Sequence, residues 1–161
     1  MDTPRIERCR RERRRLALAG LASLIAPAWA VAQSPTLHAE IWKSPTCGCC
    51  KDWIAHMEAN GFRFRVHEVG NTAVRERMKI PMKLGSCHTA VIGRYAIEGH
   101  VPAKDVLRLI KEKPDAIGLT VPGMPVGSPG MDGPEYGGRR DPYDVLLVAN
   151  DGSTRVFSSY R

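Results

Sequence analysis

The 161-residue sequence contains no apolar run long enough to cross a bilayer. The longest, Leu16–Ala26, has 11 residues, where a spanning helix needs about 20. Aromatic residues make up only 6% of the chain, and beyond Arg15 no Lys/Arg cluster with interleaved aromatics remains to suggest nucleic acid. No carboxylate pair is spaced for acid–base work, and there is no glycine-rich phosphate cradle or nucleophile elbow. Asp52 stands alone, and a single carboxylate on a helix is ordinarily just solvated. Excess basic charge is also largely absent from the body of the protein. Seven arginines against Asp2, Glu7 and Glu12 before Leu16 supply +4 of the formal +7, leaving about +3.

That basic start, the apolar stretch, and the small-residue sites Ala28-Trp29-Ala30 and Ala30-Val31-Ala32 have the three parts of a secretory signal over residues 1–32. Arginine pairs before Leu16 leave both the Sec and the twin-arginine routes open. The expectation is an exported, periplasmic protein with Cys9 removed and no membrane span after cleavage. Residues 37–114 then form the main domain, 115–143 a Gly/Pro/Met loop, and 144–161 a C-terminal β-hairpin.

Periodicity supplies the elements. His38–Ser44 alternates as a strand, and Trp53, Ile54 and Met57 recur at helical spacing up to an Asn60-Gly61 stop. Phe62–Val69 alternates with period two, as a half-buried strand does. Asn71 is a suitable N-cap for a short helix ending before Pro81. Thr89–Gly93 and Tyr95–Gly99 predict a tight hairpin, and Pro102 opens a helix carrying Val106, Leu107, Leu109 and Ile110. The order β-α-β-α-β-β-α predicts an α/β fold: a small mixed sheet with helices on both faces, the first β-α-β parallel and the hairpin forming an antiparallel edge. Ile117–Tyr143 shows no periodicity. Asn150-Asp151-Gly152 marks the turn of the C-terminal hairpin.

What the sequence does have is a cluster of thiols. The stretch SPTCGCCKDW places Cys47, Cys49 and Cys50 within four positions, and Cys87 follows beside His88. In an oxidising compartment two disulfides are possible. Adjacent cysteines bridge poorly, so Cys47–Cys50 with Cys49–Cys87 is the only comfortable pairing. A cysteine turn that opens a helix exposes backbone N–H groups and the positive end of the dipole, which favours thiolates with lowered pKa values. Thiolates serve both disulfide exchange and soft-metal binding, so position alone leaves both open.

CGCCK resembles the C-G-P-C-K of thioredoxins with Cys49 in place of proline. TAVIGRYAIEGH resembles the strand–turn–strand that follows the cis-proline of glutaredoxins. Here that proline's place reads GSCHT, so a fourth thiol and an imidazole face the cysteine turn. SPTCGCC, KIPMKLGSCHTAVIGRYAIEGHVPA and the helix after it are similar to a narrower family of small exported metal-binding proteins, the DUF411 or CopG-like copper-resistance proteins. This resemblance implies a thioredoxin-like mixed sheet with flanking helices, and copper handling in the periplasm alongside other copper proteins.

Ligand chemistry agrees. Thiolates with imidazole select Cu(I) or Zn(II), and three thiols in four residues crowd one ion but readily bridge several Cu(I). Cys47, Cys49, Cys50, Cys87 and His88 are the expected metal ligands, with Met82, His100, Met124 and Met131 as further candidates. His56, His38 and His67 read as ordinary surface histidines, and Trp42 and Trp53 as packing around the turn. The expected function is sequestration or transfer of Cu(I). The alternatives are a thiol–disulfide oxidoreductase using Cys47 and Cys50, and a structural zinc domain.

Overall fold

A computed structural model describes residues 36–161; the segment 1–32 read as an export signal, and Cys9 within it, lie outside the described residues. Strands β1 (Leu37–Lys43), β2 (Phe62–His67), β3 (His88–Ile92), β4 (Tyr95–Glu98), β5 (Gly118–Thr120), β6 (Tyr143–Val148) and β7 (Thr154–Tyr160) alternate with helices α1 (Gly48–Ala59), α2 (Thr72–Arg77) and α3 (Ala103–Glu112). They form one mixed seven-stranded sheet in the order β2-β1-β3-β4-β5-β6-β7. The β1–β2 and β4–β5 pairs are parallel and the others antiparallel. The fold is α/β. No helix among the described residues is long and apolar enough to cross a membrane.

The two faces of the sheet can be read from strand alternation, since successive side chains point to opposite sides. On β4, Tyr95 and Ile97 belong to the large core and Ala96 to a smaller one; on β6, Val145 and Leu147 part from Val148 in the same way. The large core takes Trp53 and Met57 from α1 and Val106 and Leu109 from α3. Both helices therefore cover one face. The smaller core, with Ile80 and Leu84, lies on the other face, which α2 and the 3-10 turn Met82–Leu84 approach. Helices on both faces were expected.

Two expectations need correction. The β3–β4 hairpin is interior to the sheet, because β5 adds alongside β4. This strand lies inside the stretch read as unstructured. Three residues are too few to show a period, and its first, Gly118, is there for space: a Cβ would sit 1.7 Å from the Ala96 carbonyl oxygen. Through β5 the C-terminal hairpin β6–β7 joins the main sheet.

Candidate metal centre

The site forms at the end of the sheet where β1 runs out and β3 begins. Cys47 is the N-cap of α1, in extended backbone, and its side chain makes no capping hydrogen bond. One helical turn brings residues i and i+3 to the same side, and Cys47 and Cys50 are joined there in a disulfide with their Cα atoms 5.5 Å apart, within the usual range for such a bridge. The expectation of four free thiolates is thereby corrected for these two, which do not titrate. Cys49 and Cys87 are thiols, so the second bridge of the two-disulfide reading is not made.

The sulfurs are nonetheless gathered. Cys49 Sγ lies 3.5 Å from Cys47 Sγ and 3.9 Å from Cys87 Sγ, and Cys87 Sγ lies 3.5 Å from Cys50 Sγ. The four sulfurs fall within 4.8 Å of one another. A second group shares one member with the first. Cys87 Sγ is 3.4 Å from His88 Nδ1 and 3.1 Å from His100 Nε2, and these three donors also lie within 4.8 Å of one another. Cys87 is the atom common to both sets.

The two imidazoles are held differently. His100 Nδ1 lies 2.8 Å from the Pro129 carbonyl oxygen. A carbonyl only accepts, so Nδ1 carries the proton and Nε2 presents its lone pair toward Cys87, the orientation found in metal-binding histidines. His88 is fully buried, its ring 4.5 Å from that of Trp53. Its Nε2 has no hydrogen-bond partner among the described residues, a costly condition for a buried polar atom unless a ligand meets it. Burial holds both imidazoles below the ordinary value of 6.5, His88 well below with the neighbouring His100 adding to the effect. Burial thus favours the neutral form of both, the form that binds a metal. The Cys87 thiol moves the other way, to about 12, through burial and the nearby Cys49. A metal that binds Cys87 as thiolate must displace this proton.

Within the Gly/Pro/Met loop, residues 121–131 pack directly on the cysteine turn. A Cβ on Gly130 would fall 2.6 Å from the Cys49 carbonyl oxygen and 2.7 Å from Trp53 N, and the residue has a φ of +83°. Glycine is required there on both counts. Met131 is buried with Sδ 3.4 Å from the Tyr136 hydroxyl, which donates to it. Met82 and Met124 are exposed. His56 is not a bare surface residue: its Nε2 accepts the Ala103 N–H at 3.1 Å, the first amide of α3. His67 stacks on Trp42 and pairs with Glu40, and His38 is exposed; none of these three belongs to the donor groups.

Sequence reasoning missed a buried polar network behind the Cys87 loop. Glu98 is fully buried, and its Oε1 accepts from Ser86 N–H at 2.7 Å and Arg75 Nε at 2.9 Å. Its Oε2 accepts from the Thr89 hydroxyl. Burial pushes the Glu98 carboxyl up, while these donors oppose the shift. Asn71 occupies the N-cap position of α2 but makes no cap; its amide donates instead to Ser86 O and Thr89 Oγ1. A glutamate in the otherwise apolar YAIEG strand was the available signal.

Comparison with known proteins identifies the family. The family model described as "Protein of unknown function, DUF411" matches residues 84–131, the stretch from Leu84 through Cys87, His88 and His100 to Met131. Among curated proteins nothing matches. Two solved structures, forms 1 and 2 of a copper resistance protein copG, are each 46% identical to this chain, with a TM-score of 0.72. The similarity covers 78% of this chain and 98% and 99% of theirs. The chain belongs to the DUF411 family of CopG-like copper resistance proteins.

Proposed function

We propose that this protein is exported to the periplasm and there sequesters or transfers Cu(I) through Cys47, Cys49, Cys50, Cys87 and His88, with His100 as a further ligand. The observation that carries the reading is that Cys87 Sγ belongs at once to a four-sulfur group and to a sulfur–imidazole group. A shared thiolate is what bridges neighbouring Cu(I) ions, and soft sulfur with imidazole suits Cu(I) before harder cations. Zinc shares much of this chemistry and is the competing metal. Using all four thiolates requires opening the Cys47–Cys50 disulfide, which takes two electrons and two protons from an external thiol reductant. Exposed Met124 is a candidate transfer ligand to other copper-handling proteins, and buried Met131 part of a cover.

The test is anaerobic Cu(I) titration of the reduced protein against a colorimetric chelator, with elemental analysis and a thiol count. More than one copper per chain is expected, with Cys49→Ser losing much of that stoichiometry. Retention of zinc alone would sink the copper reading.

A second reading, thiol–disulfide oxidoreductase, is favoured by one observation: the Cys47–Cys50 disulfide has Cys87 Sγ only 3.5 Å from Cys50 Sγ. Such an enzyme would reduce a mixed disulfide without Cys49.

A further inference from the structure

Cys87 immediately precedes β3, so the sheet fixes His88 on one side of it, while Ser86 on the other side lies in no helix or strand. Something else must hold its sulfur within 3.9 Å of two sulfurs and two imidazoles. The residues that do so come from α2 and β4. Arg75 donates from Nε to Glu98 and from a terminal nitrogen to Ser86 O, the latter at 2.6 Å. Glu98 in turn receives Ser86 N–H. Both backbone groups of the residue preceding Cys87 are therefore tied to one buried ion pair, in which Arg75 is 7% exposed and Glu98 fully buried. Thr89, two residues beyond, is tied to the same carboxylate, and Asn71 bridges Ser86 to Thr89.

We infer that the Arg75–Glu98 pair, with Asn71 and Thr89, is the positioning device for Cys87: it clamps the chain on both sides of the bridging thiol and aims that thiol at the cysteine turn. The pair touches no donor atom itself. Its charges are costly to bury, and such pairs are often replaceable by neutral groups without loss of stability. A clamp on the Cys87 loop accounts for their presence. The inference rests on the Cu(I) reading where metal affinity is concerned, but the positioning of Cys87 stands apart from it.

The experiment uses the full exported chain. Glu98→Gln alone leaves Arg75 short of its partner and can fail to fold, so the informative protein is the double variant Arg75→Met/Glu98→Gln, which removes both charges. Supporting partners around metal ligands are worth about 10–100-fold in metal affinity. Cu(I) affinity should fall by that factor in the double variant, and the loss should vanish in a Cys87→Ser background, since interacting positions are non-additive. A merely structural defect would lower affinity equally in both backgrounds, and that result overturns the inference. On the reduced metal-free protein, iodoacetamide should alkylate Cys87 faster in the variant relative to wild type, with Cys49 unchanged; equal change at both cysteines, or none, also overturns it. If wild type fails to hold Cu(I), the functional reading falls while the alkylation ratio still decides the positioning.

Discussion

The cysteine turn and the Cys87 loop deliver sulfur to the same place by opposite means. Cys47, Cys49 and Cys50 are placed by local structure: a helix start sets their spacing, and the first turn brings Cys47 against Cys50. Cys87 and its imidazole neighbours are placed by remote contacts. Arg75 and Glu98 hold the loop, Pro129 orients His100, and Trp53 packs against His88. The lesson is that a turn which opens a helix can carry reactive groups on its own, whereas a loop facing it needs support from several elements.

Trp53 belongs to both halves, so its removal should do the most damage. It is fully buried in α1, donates to Val101 O at 2.9 Å and backs His88. Trp53→Ala should cost about 3–5 kcal/mol of stability, read by urea denaturation of the reduced protein; a loss below 1 kcal/mol on the same scale would show that the two halves do not share this support.

Acid should separate the halves next. His88 and His100 are both held below 6.5. A lowered folded pKa means the stabilising contribution is complete above the unfolded value and is lost as pH falls through the folded one. Unfolding free energy of the metal-free protein should therefore decline below about pH 6.5. His88→Phe/His100→Gln should flatten that decline; an unchanged pH profile in the double variant would assign it to other groups.

Gly130→Ala tests the loop that carries Pro129. At a φ of +83°, and with Cys49 O 2.6 Å from the new Cβ, the substitution should cost about 1–3 kcal/mol. Its imprint should be on His100, seen as a shifted imidazole resonance, with the Cys47–Cys50 bridge still formed by mass spectrometry.

The smallest effect is expected at His56, which accepts the first amide of α3. Losing such a cap costs about 1 kcal/mol. His56→Ala should show that loss in thermal melts while leaving copper stoichiometry unchanged, whereas a fall in stoichiometry would make His56 a ligand after all.

Much of the fold was legible because it depends on short-range pattern. Alternation in Phe62–Val69 and helical spacing through Trp53 and Met57 mark elements that bury one face each. β5 was not legible: three residues carry no period, and Gly118 signals only that another backbone passes close. At the site, the cysteine spacing and the Cys87-His88 pair stood out in the sequence, and the structure brings both segments together. His100 ranked lower there, although its Nε2 is the nitrogen closest to a thiol. Its tautomer depends on a carbonyl 29 residues away, which spacing does not show. Asn71 was read by its local habit as a cap, and a tertiary partner claimed it instead.

By itself, the sequence determined which chemistry is possible: soft donors, three of them on one turn, with imidazole beside the fourth. It also determined most elements, since hydrogen bonding and side-chain periodicity act over a few residues. Only the tertiary structure decided which sulfurs are bridged, which imidazole meets Cys87, and that a buried Arg–Glu pair steadies it. Those outcomes depend on distances between segments far apart in the chain, and such distances are set by how the sheet and its helices pack.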